Sequence, residues 1–404
     1  MNTITNSPET LRAAMVDNVK AAGHATSPAV EQTMRSVPRH KFVPEASIED
    51  AYADIAVITK SASDGSALSC ASVPTIVAMM LDQLQVQPGN RILEIGAGTG
   101  YNAALLAQLT GPGGAVTTVD IDAEVTAGAR RGLDATGNEH VDVITRDGSL
   151  AAAENAPYDR IIFTVGAWDL TPEFWQQLAP GGRLVVPLRW RGQTRSVAFV
   201  RDGDALVSDS MDLCGFVPML GQEGERSGTI DTGDLVTLFW DIDQTIDTEK
   251  LSGVLDQPKE VAWSGVTVGP YDSFDGIWLR ISGTDSRTCR IATDKAAVEA
   301  KLCTPAIAVR SPALAEDDSL AYLAIRKAGD GTHELGAIGH GPYGHALAGQ
   351  LCDETKAWNK DREALPALRL YPAGTPNSAF KFDSDIFFGQ VIEKTTSRLM
   401  ISVS

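Results

Sequence analysis

The sequence predicts an α/β protein, a doubly wound and mostly parallel sheet, followed by a C-terminal α+β region. Three observations predict it. Short apolar runs alternate with helical stretches from residue 91 to residue 187, the pattern of parallel strands joined by crossover helices. The strand at 92–95 runs directly into Gly96, Gly98 and Gly100, and an Ala/Leu-rich helix follows to Leu109. The alternation stops near residue 219, and the chain continues to residue 404 with a different character. That length suits two domains with separate cores, drawn here as 1–225 and 235–404.

The glycine turn carries the first chemical reading. Glycine permits a tight turn and lets backbone N–H groups approach a ligand, and the helix that follows points its positive end at the same place. The spacing is Gly-x-Gly-x-Gly, one residue shorter than the dinucleotide fingerprint. Glu94 stands just before the turn. A carboxylate there repels a pyrophosphate and suits the amino group of a methionine moiety. The next strand, 116–119, ends at Asp120, an acid placed for the two hydroxyls of a ribose. These features favour S-adenosylmethionine over a nicotinamide cofactor. The candidate cofactor residues are Glu94, Gly96, Ala97, Gly98, Thr99, Gly100, Asp120 and Ile121, with Asp147 and Gly148 after the third strand. Asp147 reads either as an acceptor for an adenine amino group or as a turn aspartate. The competing reading of the whole set is a glycine-rich turn in any α/β protein.

The remaining elements follow in order. Ser7-Pro8-Glu9 is a helix start, with Leu11, Met15 and Val19 on one face. Ser27-Pro28 opens a second helix with Val30, Met34 and Val37 inward. Residues 37–44, Val-Pro-Arg-His-Lys-Phe-Val-Pro, read as a loop, and His40 as a loop or surface histidine. Residues 61–72, rich in Ser, Ala and Gly, read as a flexible loop before an apolar helix at 75–84. That loop is either a lid over the site or a linker. Beyond Asp120 come a helix at 123–132, a strand at 141–145, a buried strand at 158–167, a helix at 172–178 and a strand at 184–187.

The bulk numbers exclude several classes. A net charge of −18 repels nucleic acid and anionic membranes. There is no apolar run long enough to span a bilayer, and the first residues lack the basic start and apolar core of a signal peptide. Five cysteines are scattered without a Cys-x-x-Cys pair. That argues against a disulfide framework or a zinc site and for a reducing cytoplasm.

Three stretches together resemble the protein-L-isoaspartate O-methyltransferase family. They are Val37-Pro38-Arg39-His40-x-Phe42-Val43-Pro44 with Ala51-Tyr52-x-Asp54, Ser72-Val73-Pro74-x-Ile76-Val77-Ala78-Met79-Met80, and Leu93-Glu94-Ile95-Gly96-x-Gly98-x-Gly100-Tyr101. Asp147-Gly148, Tyr158-Asp159-Arg160-Ile161-Ile162 and Pro180-Gly181-Gly182-Arg183-Leu184 agree. The resemblance spans residues 10 to 200. It implies methylation of a carboxylate by S-adenosylmethionine, with a peptide or protein carrying aspartate or isoaspartate as substrate. It also implies a catalytic role for Ser72, which falls on the serine of the family's Thr-Ile-Ser motif. Cys70 and Ala71 replace the Thr and Ile, so isoaspartate preference is open. In layout, the chain is similar to an actinobacterial branch with a C-terminal extension, the FxLD-system methyltransferases, which tailor ribosomally made peptides by way of aspartimide or isoaspartate.

The C-terminal half carries no nucleotide motif. Residues 221–234 read as the boundary. Strands are expected at 276–281, 319–326, 390–393 and 398–403, and helices at 294–302 and 345–358. His340-Gly-Pro-Tyr-Gly-His345 reads as a turn, since no third metal ligand lies nearby. Trp263, Trp278, Phe387 and Phe388 read as core residues or as anchors for a peptide. Three functions follow, in order: a peptide-tailoring carboxyl methyltransferase, a repair methyltransferase for isoaspartate in damaged proteins, and a peptide-binding module without catalysis.

Overall fold

The computed structural model describes residues 7–329, 331–381 and 389–403. Phe387 and Phe388 lie outside them. The chain forms two compact units, one made of residues 1–188 and 194–220, the other of residues 189–193 and 221–404.

The first unit opens with α1 (Pro8–Ala21) and α2 (Pro28–Ser36). Ser7 caps α1 by accepting from the Thr10 N–H, and Pro8 occupies the first turn, where a missing N–H costs nothing. Met15, Val16 and Val19 of α1 and Val30 and Met34 of α2 are buried in one core. Residues 37–44 are not a plain loop. Arg39–Phe42 winds into a 3₁₀ turn with both end residues buried, and α3 (Ile48–Tyr52) follows. Nor is 61–72 a flexible loop. It belongs to an antiparallel hairpin of β1 (Val57–Ser61) and β2 (Ala67–Ala71), which pairs Val57 with Ala71. Then α4 (Pro74–Leu84) begins.

The central elements are β3 (Arg91–Ile95), α5 (Tyr101–Thr110), β4 (Ala115–Asp120), α6 (Ala123–Asp134), β5 (Asp142–Thr145), β6 (Tyr158–Phe163), α7 (Pro172–Gln177), β7 (Leu178–Trp190), β8 (Gln193–Asp202) and β9 (Ala205–Leu213). Their sheet order is β9-β8-β7-β6-β3-β4-β5. β3 to β7 run parallel, and β8 pairs antiparallel with β9. Strand order therefore reverses at β3, between β4 and β6. The carboxyl ends at such a reversal leave a crevice for a ligand, and the glycine turn lies there.

The second unit is α+β. Its larger sheet has the order β10 (Glu225–Thr229), β11 (Val236–Asp241), β13 (Thr288–Thr293), β14 (Ser311–Glu316), β15 (Ser319–Gly329), β16 (Thr332–His340) and β12 (Glu260–Val268), all antiparallel. Residues 221–234 thus contain an edge strand. Leu320, Tyr322 and Ala324 of β15 face one core, and Ala321 and Leu323 face the other. Both faces of this strand are covered, which is why 319–326 reads as a nearly continuous apolar run. Residues 276–281 are not a strand but open α8 (Gly276–Thr284), whose Ile277 and Ile281 share a core with Leu347 and Leu351 of α10 (Gly344–Trp358). The helix expected at 294–302 shortens to α9 (Lys295–Glu299). A three-stranded antiparallel set follows, β17 (Ala367–Pro372), β19 (Ser397–Ser402) and β18 (Gly389–Glu393).

Candidate active site

A cavity of about 300 Å³ opens at the carboxyl ends of β3 and β4. Its walls are the β1–β2 hairpin, the start of α4, the glycine turn, Thr164 and Val165 after β6, and Gly215, Phe216 and Val217 after β9. A second hollow of about 70 Å³ shares Leu68, Gly96, Asp120, Val165 and Val217 with it and adds Ile121, Asp147 and Gly148. The sequence-predicted residues are thereby brought to one place. Ser72, Glu94, Gly96, Ala97, Gly98, Thr99 and Asp120 line the larger space. Gly100 closes the turn as the cap of α5.

The turn needs its glycines for stated reasons. Gly96 has φ +100°, and a Cβ there would stand 2.5 Å from the Thr164 Oγ1. Gly100 has φ +84°, and a Cβ would press within 2.9 Å of the Ala129 carbonyl. Both conformations and both contacts exclude other side chains. Gly148 serves packing as well, because a Cβ would meet Ile95 at 2.7 Å.

Glu94 is fully buried. Its Oε1 accepts from the Asn102 Nδ2 at 2.8 Å and its Oε2 from the Thr118 hydroxyl at 2.6 Å. Burial pushes its carboxyl up to about 7, against the pull of those two hydrogen bonds. Asp120 is raised too, chiefly by burial, while it accepts from the N–H groups of Gly98 at 3.3 Å and Asp122 at 3.1 Å. Asp147 is exposed and accepts from the Ser149 N–H at 2.9 Å, so it makes the turn contact while bordering the smaller hollow. Ile121 is half exposed beside it.

Ser72 sits between β2 and α4, and among the described residues its hydroxyl has no hydrogen-bond partner. Among the described residues no Lys, Arg or His lines the cavity. The hairpin above is tethered by Lys60, whose Nζ lies 2.6 Å from both the Asp122 and the Glu124 carboxylates.

Sequence reasoning gave no role to the residues behind this corner. Arg39 is fully buried and donates to the carbonyls of Ala51, Ala71 and Ser72. Asp54 caps α4, accepting from the Thr75 N–H at 2.9 Å and the Thr75 hydroxyl at 2.7 Å. His40 shares a 2.7 Å hydrogen bond with the Tyr52 hydroxyl. The signal was present: the Val-Pro-Arg-His and Ala-Tyr-x-Asp motifs stood out without a chemical task.

The family model for protein-L-isoaspartate(D-aspartate) O-methyltransferase matches residues 10–224, just over half of the chain. The chain belongs to the protein-L-isoaspartate O-methyltransferase family. It is a methyltransferase with S-adenosyl-L-methionine as methyl donor, acting on protein or peptide carboxylates. Among its relatives, the protein-L-isoaspartate O-methyltransferase of Methanopyrus kandleri is 38% identical over 216 residues, covering 53% of this chain and 92% of that protein. That of Methanoregula boonei is 38% identical over 213 residues, covering 53% of this chain and 94% of that protein. A solved structure described as this enzyme from Plasmodium falciparum, in complex with S-adenosyl-L-homocysteine, is 18% identical with a TM-score of 0.47 and covers 52% of this chain and 99% of that one. The family match ends at residue 224. In the second unit, His340 is buried and stacks on Tyr322, while His345 is exposed on α10. Among the described residues no three His, Cys, Asp or Glu side chains group as metal ligands, and no helix is long and apolar enough to cross a membrane.

Proposed function

We propose that this enzyme methylates the side-chain carboxylate of an aspartate in a ribosomally made, modified peptide, leading to aspartimide or isoaspartate. The observation that carries this reading is the second unit. The first half of the chain accounts for more than nine-tenths of each of these two relatives, so the α+β unit is what this chain adds to a small catalytic core. A larger, specific peptide substrate gives that unit a task. Cys70 and Ala71 at the cavity wall, in place of the family's Thr and Ile, fit a changed substrate. The second reading, repair of isoaspartate in damaged proteins, is favoured by the names of the relatives and by Ser72, which keeps the family's serine.

The cavity fits the methyl donor. Glu94 borders it, and its ionised carboxyl would suit a methionine ammonium, while Asp120 would accept from ribose hydroxyls. Gly96, Ala97, Gly98, Thr99 and Gly100 would give the bound group close backbone approach. Ile121, Asp147 and Gly148 would border its adenine. When bound, S-adenosylmethionine supplies a methyl activated by a positive sulfonium. The substrate carboxylate is ionised at neutral pH and needs no general base. Ser72 would donate a hydrogen bond to that carboxylate and set its oxygen in line, about 3 Å from the methyl. A cation and an anion become neutral as the methyl moves. Walls without Lys, Arg or His solvate the reactant carboxylate poorly and so favour the less charged transition state. In the methyl ester formed, attack by the next backbone nitrogen on the ester carbonyl expels methanol and closes the succinimide. Five free thiols fit a reducing cytoplasm, and the charge of −18 fits a partner that is a peptide, neither nucleic acid nor membrane.

The test is mass spectrometry of the full chain with S-adenosylmethionine and two competing peptides. One carries isoaspartate, and the other is a constrained precursor with ordinary aspartate. Gain of a methyl and then loss of methanol on the aspartate peptide alone is the expected outcome. The same signature on the isoaspartate peptide alone makes this a repair enzyme.

A further inference from the structure

The corner between β2 and α4 is held from behind by one cation. Arg39 is buried, and among the described residues no carboxylate bonds its guanidinium. Its Nε donates to the Ala51 carbonyl at 2.9 Å. Its Nη2 reaches two successive carbonyls, Ala71 at 3.2 Å and Ser72 at 2.9 Å. The guanidinium also lies 5.1 Å from the centre of the Tyr101 ring. Apolar side chains fill a core without the cost of burying a charge. What a guanidinium alone adds is a rigid fork of donors.

The direction of those carbonyls matters. A trans peptide is planar, and its C=O and N–H point to opposite sides. Two successive carbonyls drawn toward Arg39 therefore turn the N–H groups of Ser72 and Val73 the other way. Among the described residues neither N–H has an acceptor, and Ser72 and Val73 both line the cavity that Arg39 does not reach. Successive N–H groups aimed the same way form a concavity that binds anions. Pro74 follows with no N–H, and the Thr75 N–H is already taken by Asp54, so these two are the donors the corner offers.

We propose that Arg39 is a positioning residue, which by drawing the Ala71 and Ser72 carbonyls inward presents the Ser72 and Val73 N–H groups to the substrate carboxylate beside the Ser72 hydroxyl. This rests on the carboxyl-methylation reading. It gives the motif around Arg39 a task in catalysis, and it predicts that charge at this position is insufficient without the fork.

The test is Arg39→Lys in the full chain, which keeps the charge and loses the fork. In its crystal structure with S-adenosylhomocysteine the peptides 71–72 and 72–73 should be reoriented. Its kcat should fall by about tenfold or more, with S-adenosylhomocysteine affinity within about twofold of the parent. Adding Ser72→Ala to Arg39→Lys should cost less than Ser72→Ala costs the parent, because both act at one corner. A role in packing alone would lower stability and leave the two substitutions additive. Unmoved peptides or strict additivity would overturn the proposal. Should Arg39→Lys not fold, Arg39→Gln is put through the same measurements, and failure of both to fold assigns Arg39 to the fold alone and overturns it as well. A parent enzyme that methylates neither an aspartate nor an isoaspartate peptide sinks the carboxyl-methylation reading, whereas peptides unmoved in the variant sink the positioning role.

Discussion

The two units bury charge to different ends. In the second unit the buried Arg191 and Asp241 close on one another, with the more exposed Asp243 beside them. Arg191 reaches the Asp241 Oδ2 at 3.1 Å and both oxygens of Asp243 at 2.7 and 2.8 Å, and burial still pushes Asp241 up to about 6. None of these three residues lines the cavity at the glycine turn. In the first unit Glu94 is just as buried but borders the open space, and Arg39 is spent on main-chain carbonyls at its wall. A closed ion cluster fixes a fold. Polar groups left facing a cavity are ready for a ligand, and their cost is recovered when it binds.

Breaking each cluster should therefore have separable effects. Arg191→Met leaves the buried Asp241 without the cation bonded to it and should cost the second unit about 3 kcal/mol in urea unfolding, with S-adenosylhomocysteine affinity unchanged. Gly96→Ala drives a methyl against Thr164 and strains the turn. It should weaken S-adenosylhomocysteine binding about 100-fold by calorimetry, and intact affinity would show that the turn yields. Glu94→Gln should sharpen the contrast through pH. The folded carboxyl titrates at about 7 and its ordinary value is 4.5. Between these the folded chain keeps a proton that the unfolded chain has lost, so stability falls as pH rises through this window and stays low above it. The cofactor-free variant should gain about 3 kcal/mol over the parent at pH 8 and nothing near pH 4, while binding S-adenosylhomocysteine more weakly at pH 8. A pH-independent difference would remove Glu94 from this role.

The same contrast explains what was legible in the sequence. The glycine turn, Glu94 and Asp120 are set by local geometry within about thirty residues, so their arrangement at one sheet edge could be read. The β1–β2 hairpin could not. Among the described residues its strands pair only with each other, and its Ser, Ala and Gly show no alternation of polarity. Arg39 was hidden because cation burial is a tertiary fact: its acceptors lie 12 to 33 residues away. In the second unit, Ile277, Trp278 and Ile281 have strand-forming character, yet Ile277 and Ile281 pack with Leu347 and Leu351 of α10, and packing overrode propensity. Thr332–His340 is buried on both faces, with Leu335 and Ala337 in one core and Ile338 in the other, so its sequence shows no alternation of polarity.

The most direct test of the account is the kinetics of Ser72→Ala. Its hydroxyl is unengaged at the cavity wall and is here assigned to the substrate carboxylate alone. The account predicts a kcat about 100-fold lower with S-adenosylhomocysteine affinity within about twofold of the parent. A kcat within twofold of the parent, or a parallel loss of cofactor affinity, would contradict it.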